Sequence, residues 1–150
     1  MDLKTFDTTE YANAGADMEI TLPNGRVVVD EKTNRPWTIS LLGVDSRKYQ
    51  DLTHKVANKR ISRRAKSRRS LTTSEEVDSD QLELLVEMTL GWSGIVLEGT
   101  VLDFTKENAR MLYSEFAWIR EQAEDFIQDR TNYLGESSKR SKSSPSAASS

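Results

Sequence analysis

Apolar and polar positions alternate twice near the start of the chain. Met18, Ile20 and Leu22 are separated by Glu19 and Thr21, and Trp37, Ile39 and Leu41 by Thr38 and Ser40. A period of two marks a strand with one face buried. Between these runs, Pro23-Asn24-Gly25 carries turn chemistry, because proline presets φ and Asn-Gly tolerates positive φ. A β-branched run resumes from Arg26 to Asp30, and a second turn at Asn34-Arg35-Pro36 leads into Trp37. The pattern predicts a hairpin plus a third strand. Such a sheet hides only one face and needs helices or another subunit against it.

The periodicity then changes. Gly43-Val44-Asp45-Ser46 ends the strands and offers Asp45 or Ser46 as an N-cap. From Arg47, the positions Tyr49, Leu52, Val56 and Ile61 trace a thin helical stripe that fades into Ser62-Arg63-Arg64-Ala65-Lys66-Ser67-Arg68-Arg69. Ser74-Glu75-Glu76-Val77 opens a second helix with acidic residues where the helix dipole favours them. Leu82, Leu85, Val86 and Thr89 form its apolar face, and Gly91 is placed as its C′ residue. Trp92 to Leu102, with Gly94 and Gly99, reads as a structured loop containing short extended pieces. Phe104-Thr105 then starts the strongest amphipathic pattern in the chain, with Thr105 as N-cap. Leu112, Phe116, Ile119, Ala123, Phe126 and Tyr133 recur at helical intervals.

These elements define an α+β protein, with a small N-terminal antiparallel sheet packed on a bundle of about three helices over residues 17–134. Residues 1–16 are polar and small and are expected to form a flexible arm. From Gly135 to Ser150 the composition collapses into Ser, Lys and Arg, and that tail is expected to be disordered. At 150 residues, with 36% hydrophobic and 30% charged positions, the core is modest and the surface well solvated.

Net charge of -3 points to no general nucleic-acid or membrane partner, but charge is segregated. Lys55, Lys59, Arg60, Arg63, Arg64, Lys66, Arg68 and Arg69 form a basic block, followed by Glu75, Glu76, Asp78, Asp80, Glu83 and Glu87. The block lacks the interleaved aromatic side chains that stack on bases, and the acidic residues after it are placed to neutralise it. Nucleic-acid binding through Lys59, Arg60, Arg63, Arg64, Arg68 and Arg69 is therefore disfavoured against a solvated or protein-contacting helix end. The absence of cysteine excludes disulfides and thiolate metal sites. No apolar run reaches the roughly 20 residues a membrane span needs, and Met1 to Thr5 carries no signal-peptide pattern. A soluble, intracellular protein is expected.

Catalytic chemistry has little support. His54 is the only histidine and reads as a helix-surface residue. Gly91-Trp92-Ser93-Gly94 departs from a nucleophile elbow at Ile95, where the last glycine should stand. No phosphate-cradling glycine loop occurs, and the carboxylates sit beside Lys and Arg on helix faces. No catalytic residue, cofactor or metal is expected. The aromatic side chains are the remaining candidates. Trp92, Phe104, Trp118, Phe126 and Tyr133 could contribute to a partner surface. Trp118 points away from the stripe, leaving it either covered by the Trp92 loop or exposed as an anchor.

The order of these segments resembles the tail assembly chaperones of long-tailed bacteriophages. The resemblance covers roughly residues 17–134. It runs from Leu22-Pro23-Asn24-Gly25 through Leu42-Gly43-Val44-Asp45-Ser46 before a basic helix, then a polar helix ending in Gly91-Trp92. It closes with Phe104-Thr105-Lys106-Glu107-Asn108-Ala109-Arg110 and Trp118-Ile119-Arg120-Glu121-Gln122 leading to Phe126-Ile127. Similar chains often carry proline immediately before the last-helix tryptophan. Ala117 stands there, which leaves two courses, a helix broken at that point or one running through. The resemblance implies a non-enzymatic chaperone of the host cytoplasm, absent from the mature virion. It would bind the tape measure protein, keep it soluble and help recruit subunits of the major tail tube protein; self-association is compatible with this role. Many such proteins also have a frameshift-extended form, and Gly135 to Ser150 is a candidate for such an appended segment. A structural tail or connector protein retained in the virion is the first alternative, and a nucleic-acid-binding module the second.

Overall fold

The computed structural model describes residues 2–66 and 74–134. A 3-10 turn at Leu3–Phe6 and helix α1, Thr8–Ala14, come first. Strands β1, Ala16–Glu19, and β2, Thr38–Leu41, follow, and then helices α2, Arg47–Lys66, and α3, Ser74–Met88. Strand β3, Thr89–Ser93, leads into a small hairpin of β4, Val96–Leu97, and β5, Thr100–Val101. Helices α4, Lys106–Glu115, and α5, Ala117–Gln128, and a 3-10 turn at Arg130–Tyr133 complete the fold. The α+β class holds.

The three-stranded sheet is antiparallel in the order β1-β2-β3. Met18 faces Ile39, which in turn faces Trp92 across the next ladder. The period-two reading holds for Met18, Ile20, Ile39 and Leu41, all buried on the helix-facing side. Burying each such side chain contributes on the order of 1.5–3 kcal/mol. The third strand is a correction: β3 occupies Thr89–Ser93, where a helix terminus and loop were expected. Gly91 does not cap a helix; it pairs with Ser40. The Met88 carbonyl accepts from Leu42 N–H at 2.9 Å, so the chain passes directly from helix into sheet. A register shift between Ser40 and Leu41 leaves Leu90 bulged and exposed.

The second arm of the expected hairpin is not a regular strand. It forms isolated bridges, Thr21 with Val27 and Val29 with Pro36. Val28 still splices the arms together, its N–H donating to Ile20 O and its carbonyl accepting from Trp37 N–H, both at 2.9 Å.

Residues 3–14, expected as a flexible arm, are helical and fastened to the body. Ala12 is buried, its carbonyl accepts from Gly43 N–H at 3.1 Å, and Asn13 accepts from Arg47 N–H at 2.8 Å. Asp45 is not the N-cap of α2. Ser46 has that role, accepting from Tyr49 N–H at 3.2 Å. Asp45 instead takes Thr8 Oγ1–H and a two-pronged contact from Arg130 at 2.8 and 3.0 Å. Thus α1, the β2–α2 corner and the last 3-10 turn meet at one carboxylate. The Arg130 guanidinium holds the Asp45 carboxyl below its ordinary range, against the opposing effect of burial, with help from Thr8. The tail from Gly135 onward lies outside the described residues.

The strongest amphipathic segment is not one helix. Phe116, with φ -115 and ψ 77, separates α4 from α5. Thr105 caps α4 as expected, accepting from Asn108 N–H at 2.9 Å. The break resets the helical phase, so α4 buries Ala109, Leu112 and Tyr113 while α5 buries Ile119, Ala123 and Ile127. Phe116 and Phe126, set on the apolar stripe by their spacing, are only half-buried.

Candidate functional site

Among its described residues, helix α2 is held against the body by few interactions. Tyr49, Leu52 and Val56 are half-buried beneath it, and among its described side chains none is fully buried. Ion pairs clasp it to α3 near each end, Lys48 to Glu87 at 3.4 Å and Arg60 to Asp80 at 3.0 Å. Glu87 is shared with Lys106 at 2.8 Å. The Lys106 ammonium is the main cause of its lowered pKa, with Lys48 adding to it and burial opposing both.

This loose packing leaves a groove along α3. A cavity of about 220 Å³ between α2, α3 and α5 has an apolar floor that includes Leu84, Leu85, Met88 and Ile127. A second cavity of about 250 Å³ lies between α2 and α3, with Val56, Ala57 and Val77 in its walls. Tyr49, Gln81 and Leu84 line both, which makes the two one furrow. From Val77 to Met88 it extends roughly 16 Å at about 1.5 Å per residue, the length of about three helical turns. Its α5 rim carries Glu124, Asp125 and Gln128. Burial raises the Glu124 pKa, Arg120 partly offsets this, and Asp78, Asp125 and Glu121 add to the rise. The groove is therefore apolar in its floor and acidic on one edge.

The five aromatic residues singled out from the sequence do not converge on this groove. Trp92, half-buried on β3, donates Nε1–H to Leu102 O at 2.7 Å and meets Phe104 edge-on at 5.0 Å. Phe126 meets Tyr133 edge-on at 5.7 Å. Tyr133 is 1% exposed and donates to Leu41 O at 3.2 Å, so it is a core residue and is not presented to a partner. Burial pushes its pKa up. Trp118 is half-buried, neither fully covered nor free, beside the Ile95–Leu97 segment.

The basic patch is only partly described. Lys59 is exposed and Arg60 is engaged by Asp80. The side chains of Arg63 and Arg64, and the whole of Arg68 and Arg69, lie outside the described residues. His54 is exposed on α2. Among the described residues no group of His, Asp and Glu is arranged to hold a metal ion, and no helix is long and apolar enough to cross a membrane.

Sequence reading placed an amphipathic groove on the helices expected over 75–90 and 106–133; the structure adds α2 to its walls and sets Leu85, Met88 and Ile127, all buried, with half-buried Leu84 in its floor. A thin stripe on α2 opposite an over-wide one on α3, where Leu84 and Met88 broaden the apolar face, was the available signal. Comparison with protein-family models, curated proteins and solved structures gives no match to this chain.

Proposed function

We propose that this protein is a tail assembly chaperone of a long-tailed bacteriophage, which binds helical segments of the tape measure protein and keeps them soluble. In this reading it helps recruit tail tube subunits, works in the host cytoplasm, and is absent from the finished particle. The ordered sequence resemblance supports the reading, and the groove along α3 is the observation that carries it. An apolar furrow about three turns long, with charged edges, suits one amphipathic helix laid lengthwise. No catalytic step is part of this role.

Co-expression with the tape measure protein of the same phage tests the proposal. Soluble tape measure should rise when the chain is present. It should fall again for Ala57→Arg, which sets a long charged side chain at the groove from an exposed, helix-compatible position. Equal insolubility with and without the chain overturns the reading. Mass spectrometry of purified particles should not find the protein; finding it there favours a structural tail component.

A further inference from the structure

The two edges of the groove along α3 differ in charge. Tyr49, Thr53, Ala57 and Arg60 form the α2 edge. These four leave no free charge there, since Thr53 gives its hydroxyl to Gln50 O at 2.9 Å and Arg60 is tied to Asp80 at 3.0 Å. Glu124, Asp125 and Gln128 form the α5 edge. Gln128 donates its amide N–H to the Tyr49 hydroxyl at 3.2 Å, so that edge presents the two carboxylates. Asp125 is exposed and its side chain has no partner among the described residues. Glu121, one helical turn before Asp125, acts on Glu124 with the same sign. The Arg120 guanidinium is divided between Asp78 at 3.0 Å and Glu124 at 3.4 Å. Asp78, Glu121, Glu124 and Asp125 therefore outnumber the cation set among them, beside an apolar floor.

We propose that the helix received by this groove carries lysine or arginine along one flank of its apolar stripe, and that Glu124 and Asp125 select for those cations. The inference rests on the groove as a helix site and names the chemistry of its occupant. A neutral helix fills the floor but withdraws the carboxylates from water without matching them, which is unfavourable. An acidic flank adds like-charge repulsion. A cation that reaches Glu124 acts where screening by water is already reduced, because that side chain is 36% exposed. The flank facing α2 needs no charge. With its stripe on the floor and its cations toward α5, the helix can lie in only one direction. The acidic edge thus sets the polarity of the bound segment as well as its composition.

The test uses the full chain and three helical peptides of two heptads each, titrated by calorimetry at low salt. All three carry leucine at positions a and d. They differ at b and e, on one side of that stripe, where they carry lysine, glutamine or glutamate. The lysine peptide should bind about three- to tenfold more tightly than the glutamine peptide, and the glutamate peptide more weakly than either. High salt should compress the ranking. Glu124→Gln combined with Asp125→Asn should abolish the preference and keep the affinity for the glutamine peptide. If that double variant does not fold, the ranking on the wild-type chain decides. Ala57→Arg should weaken all three peptides, which places them in the groove. Binding without a charge preference overturns this inference and leaves the helix site standing. Failure of all three to bind, or binding untouched by Ala57→Arg, removes the helix site and this inference with it. Affinity that falls as the chain is concentrated shows a second copy in the groove and also overturns the proposal.

Discussion

Replacing Thr89 with valine should cost more stability than replacing its partner Tyr113 with phenylalanine, although both remove one hydroxyl from the same hydrogen bond. Thr89 Oγ1 lies 2.8 Å from Leu85 O and 2.7 Å from Tyr113 OH. The threonine has one proton and gives it to the Leu85 carbonyl, so the tyrosine must be the donor in the second contact. Tyr113→Phe removes that donor and leaves Thr89 bonded to Leu85, a loss of about 1 kcal/mol. Thr89→Val strands a phenol O–H on a residue that is 1% exposed. An unsatisfied buried donor costs about 1–3 kcal/mol, and this one should fall in the upper half. In the double variant the orphan is gone, so its loss should be smaller than the sum of the singles by about 1 kcal/mol. Urea unfolding of the four proteins, extrapolated linearly, measures all three differences. If Thr89→Val is no worse than Tyr113→Phe, or if the two losses add, the assigned donor direction is wrong.

Burial pushes the Tyr113 phenol up to about 12. A raised pKa means the unfolded chain releases the proton first, so its stabilising share is intact below about pH 10 and is lost as pH climbs from about 10 toward 12. Tyr113→Phe should flatten that alkaline loss in pH-dependent melts. Asp45 has the opposite sign: its depressed pKa contributes stability above roughly pH 4 that disappears as pH falls through the lower folded value. Asp45→Asn should therefore narrow the stability gap between pH 6 and pH 3, and an unchanged gap would remove Arg130 from its assigned role. A Cβ at Gly43 would stand 3.0 Å from Ala12 Cβ and from the Tyr133 ring, so Gly43→Ala should cost about 1–3 kcal/mol in thermal or urea melts. Asp80→Asn should release the Arg60 clasp and speed amide hydrogen exchange in α2 more than in α3 or α5, with the effect vanishing in high salt.

The parts of the fold legible in the sequence were those governed by short-range rules. Alternation located Met18, Ile20, Ile39 and Leu41, and hydroxyl capping located Thr105. What escaped depends on distant partners. Thr89 to Ser93 became a strand because Leu42 captures the Met88 carbonyl and β2 offers an open edge, neither of which is visible locally. Nothing in 1–16 announces a docked helix, since Asp45 and Gly43 supply its attachment points from elsewhere in the chain. The Phe116 break, one of two courses left open at Ala117, shifted the buried stripe onto Tyr113 and Ile127. For the candidate sites, aromatic content was a poor guide. Tyr133, read as a possible partner contact, proved to be core.

The closing contacts of this fold join the earliest and latest parts of the described chain. Thr8 reaches Asp45, Arg130 reaches the same carboxylate, Tyr133 reaches Leu41, and Gln122 clamps the backbone of Thr21 with its amide oxygen and nitrogen. During synthesis, the sheet's apolar face therefore stays uncovered until α5 and the final turn have emerged. Residues following Tyr133 are made only after every piece needed to cover that face exists. Topology of this kind makes folding slow for the domain's size, and it makes truncation unforgiving. A chain stopped before Arg130 loses both the Asp45 tie and the Tyr133 plug over Gly43, and with them what holds the N-terminal helix.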